Sequence, residues 1–234
     1  MTRQAIASRR GLLVIAKRPA PGRTKTRLSP PLLPEQAADL FECFLRDTLD
    51  VARAVPGVSR WVHYGPDDAA GYFEQLAPDF GLLPQVGESL GPRLDQVLTR
   101  CLEDGFERAV IMDSDSPTLP PAYIENAFAE LDAADVVLGP CEDGGYYLIG
   151  LKQPQPRLLR EVRMSTPYVL RDTLDLAQQD GLRVALLPSW YDVDTAQELE
   201  HLRADLEAHA NGTAPHTRAF LSRLAPVAQQ APAA

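Results

Sequence analysis

Short apolar runs alternate along this chain with longer segments of helical periodicity, and that alternation restricts the fold more than any single motif. Strand-like runs are expected at 11–16, 60–64, 82–86, 109–112, 135–139, 146–149 and 183–187. Between them, 34–55 places Ala37, Phe41, Phe44, Leu45, Leu49, Ala52 and Val55 on one helical face before Pro56-Gly57 stops it. Further helices are expected at 71–77, 92–103, 121–131 and 167–179, and one from the capping box Thr195-Ala-Gln-Glu198 to about 207. Gly91 is read as the cap of the third helix, with Pro92 at its first position. Such an order predicts an α/β fold: a mostly parallel central sheet with helices on both faces. At 234 residues and 45% hydrophobic content, one domain over 10–224 suffices, between a flexible N-terminus (1–9) and a disordered Ala/Pro tail (225–234).

Charge is distributed unevenly over this frame. The chain is net −9, yet residues 1–28 hold eight Lys and Arg and no acid, so all 32 acidic residues follow Leu28. The first strand runs directly into Lys17-Arg-Pro-Ala-Pro-Gly-Arg-Thr-Lys-Thr-Arg-Leu28, a stiff loop offering five cations and its own backbone donors to an anion. The acidic remainder argues against a nucleic-acid partner, whose binding needs many phosphate neutralisations, but not against a single nucleotide.

Two aspartate pairs complement that loop. Asp113-Ser-Asp115 ends the fourth strand, where open α/β sheets place their ligand crevice, and Asp192-Val-Asp194 follows the last strand. If that strand continues, Asp192 and Asp194 point the same way. One carboxylate from each pair, with ligand phosphates, would hold Mg²⁺ or Mn²⁺, although aspartates in such positions also cap turns and helices. Gly139-Pro-Cys-Glu-Asp-Gly-Gly-Tyr-Tyr-Leu-Ile-Gly150 adds two acids, a glycine pair that admits close backbone approach, and tyrosines able to stack on a ring.

Other chemistries find less support. Cys43, Cys101 and Cys141 have neither disulfide-framework nor zinc-site spacing, which fits reduced thiols in a cytoplasmic protein. Ser8-Arg-Arg10 imitates a twin-arginine signal, but the apolar run after it is too short for export, and no stretch is long enough to span a membrane. Gly87-Glu-Ser-Leu-Gly91 fits G-x-S-x-G, yet no oxyanion segment precedes it, and His201, His209 and His216 lie in a polar tail. His63 is read as a strand-end residue. Neither a P-loop nor a G-x-G-x-x-G after a strand is present. A nucleotide-sensing module without turnover would also keep the cationic loop.

The segments Ala16–Leu28, Asp113–Leu119, Leu138–Gly150 and Asp192–Thr195 occur in the order found in a bacterial family. The chain resembles the small GT-A-like nucleotide-diphospho-sugar transferases that include the arsenosugar-biosynthesis glycosyltransferase group. That family is a cousin of the 2-phospho-lactate guanylyltransferases and the molybdenum-cofactor nucleotidyltransferases. The resemblance covers about 11–205 and implies a single-domain GT-A, Rossmann-like fold with a nucleotide over the first strand and loop. It implies phosphate contacts from Lys17, Arg23, Lys25 and Arg27, and a nucleotide site that also takes in Ala16, Arg18, Pro19, Gly22 and Asp113. Asp115 and Asp194 would be ligands of a divalent metal (Mg or Mn). The stretch Glu142, Asp143, Gly144, Gly145 and Tyr146 would face the sugar or acceptor. Lys25, Arg27 and Asp143 would be catalytic, with Asp143 or Glu142 taking the acceptor's proton. Ser116 and Ala196 depart from residues common in relatives without removing a charged group. The expected partners are a nucleotide-activated sugar and a small-molecule acceptor, in a monomer or homodimer. Nucleotidyl transfer from a nucleoside triphosphate to a small phosphorylated acceptor, releasing pyrophosphate, is the alternative.

Overall fold

Seven strands form one sheet in the order β3-β2-β1-β4-β6-β5-β7. The computed structural model describes residues 8–209 and 212–224, so the expectations for 1–7 and for the tail 225–234 fall outside the described residues. β1 (Arg10–Lys17) lies between β2 (Ser59–Gly65) and β4 (Arg108–Met112), parallel to both. β3 (Gly81–Pro84) continues that half parallel to β2, and on the far side β5 (Val136–Pro140) pairs parallel with β7 (Val184–Leu186). The exception is β6 (Tyr146–Leu151), antiparallel to both β4 and β5. Its reversal follows from the link to β5, five residues that make a turn and cannot reach back for a parallel crossover.

The alternation of side chains in β1 builds two cores. Leu12, Val14 and Ala16 face a layer made by α1 (Pro34–Ala54), α2 (Ala70–Leu76), α4 (Pro121–Glu130), α7 (Ala196–Ala208) and α8 (Pro215–Leu221). Leu13 faces the other layer, made by α3 (Leu90–Glu103), α5 (Pro156–Arg160) and α6 (Val169–Gln179). Helices therefore cover both faces, as the alternation predicts. Cys43, Cys101 and Cys141 are free thiols, and no helix among the described residues is long and apolar enough to cross a membrane.

Two local expectations are corrected and two short helices are added. The third helix starts at Leu90 after Ser89 in the capping position, so Gly91 is its second residue and not its cap. A side chain there would collide with α5, because a Cβ on Gly91 would lie 2.0 Å from the Leu159 carbonyl oxygen. The stretch 191–194 is not a continued strand, although both of its aspartates reach the same cleft. α5 and α8, five and seven residues long, are too short to show a period in the sequence. α8 is fastened to α1 by Asp47, whose carboxylate accepts from the backbone N–H groups of His216 (3.0 Å) and Thr217 (2.8 Å).

Candidate functional site

The order of strands reverses around β1 and β4, and at their carboxyl ends the sheet opens into a cleft of about 520 Å³. Asp113 and Asp115 follow β4, and Asp143 sits on the β5–β6 turn. Asp192 and Asp194 come from the segment that enters α7. All five carboxylates line this cleft, against one lining cation among the described residues, Arg27.

Local hydrogen bonds fix four of these acids. The Asp113 backbone N–H donates to the Tyr147 carbonyl (2.9 Å), and its carboxylate accepts from Asp115 N–H (3.2 Å). Val193 N–H donates to the Asp115 carbonyl at 3.0 Å, which ties the two aspartate pairs together. The capping box forms as its sequence predicts: Thr195 Oγ1 accepts from Glu198 N–H, while Glu198 Oε2 accepts from the N–H groups of Asp194 and Thr195, both at 2.7 Å. That cap orients Asp194. Asp143 Oδ1 accepts from Gly145 N–H at 2.8 Å within a turn closed by Cys141 N–H to the Gly145 carbonyl. Gly144 occupies φ +91°, and a Cβ there would lie 2.1 Å from the Pro167 carbonyl, so only glycine brings this turn so close to the entry of α6.

Burial, and after it mutual repulsion, shows in the titration of Asp113 and Asp192. Burial pushes Asp192 up to about 7, and the carboxylates of Asp143 and Asp194 add to the shift. Asp113 is pushed well up by burial and then by Asp115. Cys141, Asp143 and Asp192 each offer a ligand atom within 4.8 Å of the others.

Lys25 answers part of this charge. Its Nζ lies 2.5 Å from Asp115 Oδ1 and 2.7 Å from Asp194 Oδ1, and donates to the Val193 carbonyl at 2.8 Å. Burial opposes its charge but the two carboxylates more than compensate, so its pKa is raised. Arg27 is exposed and stands 4.0 Å from Asp194.

The structure thus brings Lys25, Arg27, Asp113, Asp115, Asp143, Gly145, Tyr146 and Asp194 to one site. Lys17, Arg18, Arg23, Pro19 and Gly22 do not line the cleft; Arg18 pairs with Asp68 at 3.3 Å, and Arg23 is exposed. The Ala16 carbonyl accepts from Gln85 Nε2 at 3.1 Å. Glu142 is exposed outside the lining, which leaves Asp143 as the acid on this turn that faces the cleft. Gly144 supports the turn from behind. Tyr147 is buried with its hydroxyl on the Pro188 carbonyl, so Tyr146 is the tyrosine with an accessible face. Sequence reasoning missed Cys141, Leu90, Leu94 and the 164–167 segment as lining residues. Cys141 stood inside a motif already singled out. Ser89 is exposed at the start of α3 and has no histidine partner among the described residues.

Residues 48–166 match DUF2064, a family described as uncharacterised proteins conserved in bacteria. The chain belongs to that family. It is also 31% identical over 205 residues to 2-phospho-L-lactate guanylyltransferase of Methanothermobacter thermautotrophicus, covering 86% of this chain and 85% of that protein. A crystal structure from Desulfovibrio desulfuricans, described as a nucleotide-diphospho-sugar transferase, superposes with a TM-score of 0.86 at 30% identity, over 92% of this chain and 94% of that one. The 4-diphosphocytidyl-2C-methyl-D-erythritol synthase of Anaerococcus prevotii shares the fold at TM-score 0.57 and 11% identity, over 87% of this chain and 99% of that one. This DUF2064 protein is accordingly a transferase of the nucleotidyltransferase and nucleotide-diphospho-sugar transferase superfamily.

Proposed function

We propose that this protein transfers a sugar from a nucleotide-diphospho-sugar to a small uncharged acceptor, with a divalent cation. The observation carrying the reading is the make-up of the cleft lining, five carboxylates and one cation. Arg27 in that lining stands near Asp194, and Lys25 beside it is paired with Asp115 and Asp194. Leu90, Leu94, Tyr146, Met164 and Val169 also line the cleft, with Ser165 and Thr166, and among the described residues Arg27 is the one basic side chain in the lining. A phosphorylated acceptor would bring further negative charge into a space already holding five aspartates; a neutral one would not.

The residues suit a hard divalent ion. Oxygen donors predominate, and the burial that raises Asp113 and Asp192, with the repulsion of neighbouring carboxylates added to it, is the cost a cation would relieve. Asp115 and Asp194, with Asp192 beside them, would hold it, and the ion would neutralise charge growing on the leaving diphosphate. Arg27, exposed at the rim, would donate to phosphate oxygens at about 1.5–3 kcal/mol per charge-assisted bond. Lys17, Arg18 and Arg23 would steer the anionic donor toward the cleft from outside it. Asp143, held by Gly145 N–H, would accept the proton leaving the acceptor's hydroxyl. Tyr146 would present its ring to the transferred group.

Nucleotidyl transfer is the second reading, favoured by the guanylyltransferase relative that matches over 86% of this chain. The two differ in what is released. Incubation with Mg²⁺ or Mn²⁺ and a panel of nucleotide sugars and triphosphates should release nucleoside diphosphate from a nucleotide sugar. Pyrophosphate released from a triphosphate, and only when a phosphorylated acceptor is supplied, would replace the first reading by the second.

A further inference from the structure

Lys25 occupies the position that a cation shared by Asp115 and Asp194 would take. Its side chain is only 4% exposed although it borders an open cleft, and the rings of Phe41 and Phe44 each lie 5.6 Å from the ammonium. An ammonium has three hydrogens: the Val193 carbonyl and Asp194 accept from it, and Asp115 Oδ1 stands at 2.5 Å as the third neighbour. The backbone is distorted to put it there: Lys25 sits at φ +49°, a left-handed conformation that costs a non-glycine residue free energy. Nothing remains on Nζ for a phosphate while these contacts stand.

We infer that Lys25 is the built-in counter-ion of the Asp115–Asp194 pair and competes with the divalent cation for it, so that loading the cation releases the ammonium to the anionic donor. This rests on the metal-dependent reading above. A divalent ion placed between the two carboxylates would meet the ammonium at contact distance, and like charges there repel strongly. The lysine therefore has to leave, and it leaves with unsatisfied donors. A diphosphate satisfies them, so cation and diphosphate bind better together than either alone, and by linkage each strengthens the other by the same factor. Lys25 becomes a phosphate ligand as a consequence of loading and not before it.

The test is binding, without turnover. Mn²⁺ affinity is measured by the paramagnetic resonance of the free ion, alone and with inorganic pyrophosphate, for wild type, Lys25→Gln and Lys25→Arg. Lys25→Gln should bind Mn²⁺ alone about tenfold tighter than wild type, on the order expected for removing one adjacent like charge. It should also show less coupling to pyrophosphate, while Lys25→Arg, which keeps the charge, stays weak. In wild type, acetylation of Lys25 followed by mass spectrometry should be slow in the free protein and accelerate when Mn²⁺ is added without an anion; this readout does not require any variant to fold. Mn²⁺ binding that leaves Lys25 protected, or a Lys25→Gln protein that binds Mn²⁺ no tighter, overturns the inference and leaves the metal-dependent reading intact. Absence of Mn²⁺ binding in wild type and variants, with pyrophosphate present, overturns both.

Discussion

Replacing Gly91 with alanine sets two known effects against each other. Alanine is the better helix former by about 1 kcal/mol in a helix interior. Its Cβ, however, would stand 2.0 Å from the Leu159 carbonyl oxygen and 3.2 Å from the carbon behind it. Both are backbone atoms of α5, so no rotamer change relieves the overlap, and the two helices must part by roughly 1 Å or more to restore ordinary contact. Separating them disturbs Leu94, Leu158 and Leu159 in the shared core and the Arg160–Asp95 ion pair that crosses the same junction. Overpacking of this kind costs about 1–3 kcal/mol, which outweighs the helical gain. Gly91→Ala should therefore lose about 1–2 kcal/mol, a fall in Tm of roughly 2–8 °C for a chain of this size. Gly71 supplies the control: it lies in α2, has ordinary φ, and a Cβ added to it would meet nothing within 4 Å. Gly71→Ala should gain about 0.5–1 kcal/mol. Urea unfolding followed by circular dichroism reads both as midpoint shifts at constant slope. Two variants shifting in the same direction would refute the account of helix packing behind the cleft.

Burial lowers His63 from its ordinary 6.5 to about 4, so the native state refuses a proton that the unfolded chain accepts. Its contribution is complete above pH 6.5 and erodes as pH falls toward 4, by about 3 kcal/mol in all. Wild type should thus lose about 2–3 kcal/mol more than His63→Leu between pH 7.5 and 4.5; equal losses in urea titrations would sink the assignment. The carboxylates that titrate in this range are common to both proteins. Asp47→Ala leaves the buried Thr217 N–H and the part-buried His216 N–H of α8 without an acceptor, so stability should drop by about 1–3 kcal/mol. Limited proteolysis should then cut first near 209–216, and unchanged protection would show that α8 is held by its apolar face alone.

Periodicity carried the layout of this chain into its sequence because β1 and the long helices repeat their apolar residues at a fixed interval. Leu12 and Val14 against Leu13 already assign two faces, and the Thr195–Glu198 box marks the start of α7 within a residue. The direction of β6 was less visible, since it depends on whether the Asp143-Gly-Gly segment turns tightly, and a strand reads alike both ways along the chain. Gly91 misled because glycine serves both helix ends and close approaches; its function lies in Leu159, 68 positions away and unmarked by any motif. In the site, the aspartates were legible as pairs, one directly after β4 and one just before α7. Their partner was not: Lys25 and Asp194 are 169 residues apart, and nothing local distinguishes a lysine aimed at phosphate from one already saturated by carboxylates.

The reversed strand β6 has a consequence for how such a site can diversify. A parallel neighbour would have reached β4 only through a crossover on one face, leaving the mouth of the cleft to distant loops. Because β6 begins where β1 and β4 end, the chain enters it through a hairpin tip that overhangs the mouth, carrying Cys141, Asp143 and Gly145. The Asp143 side chain at that tip can be exchanged without disturbing any strand register, whereas Gly144 beneath it cannot, so one position at the mouth is free to vary while the turn that carries it stays constant.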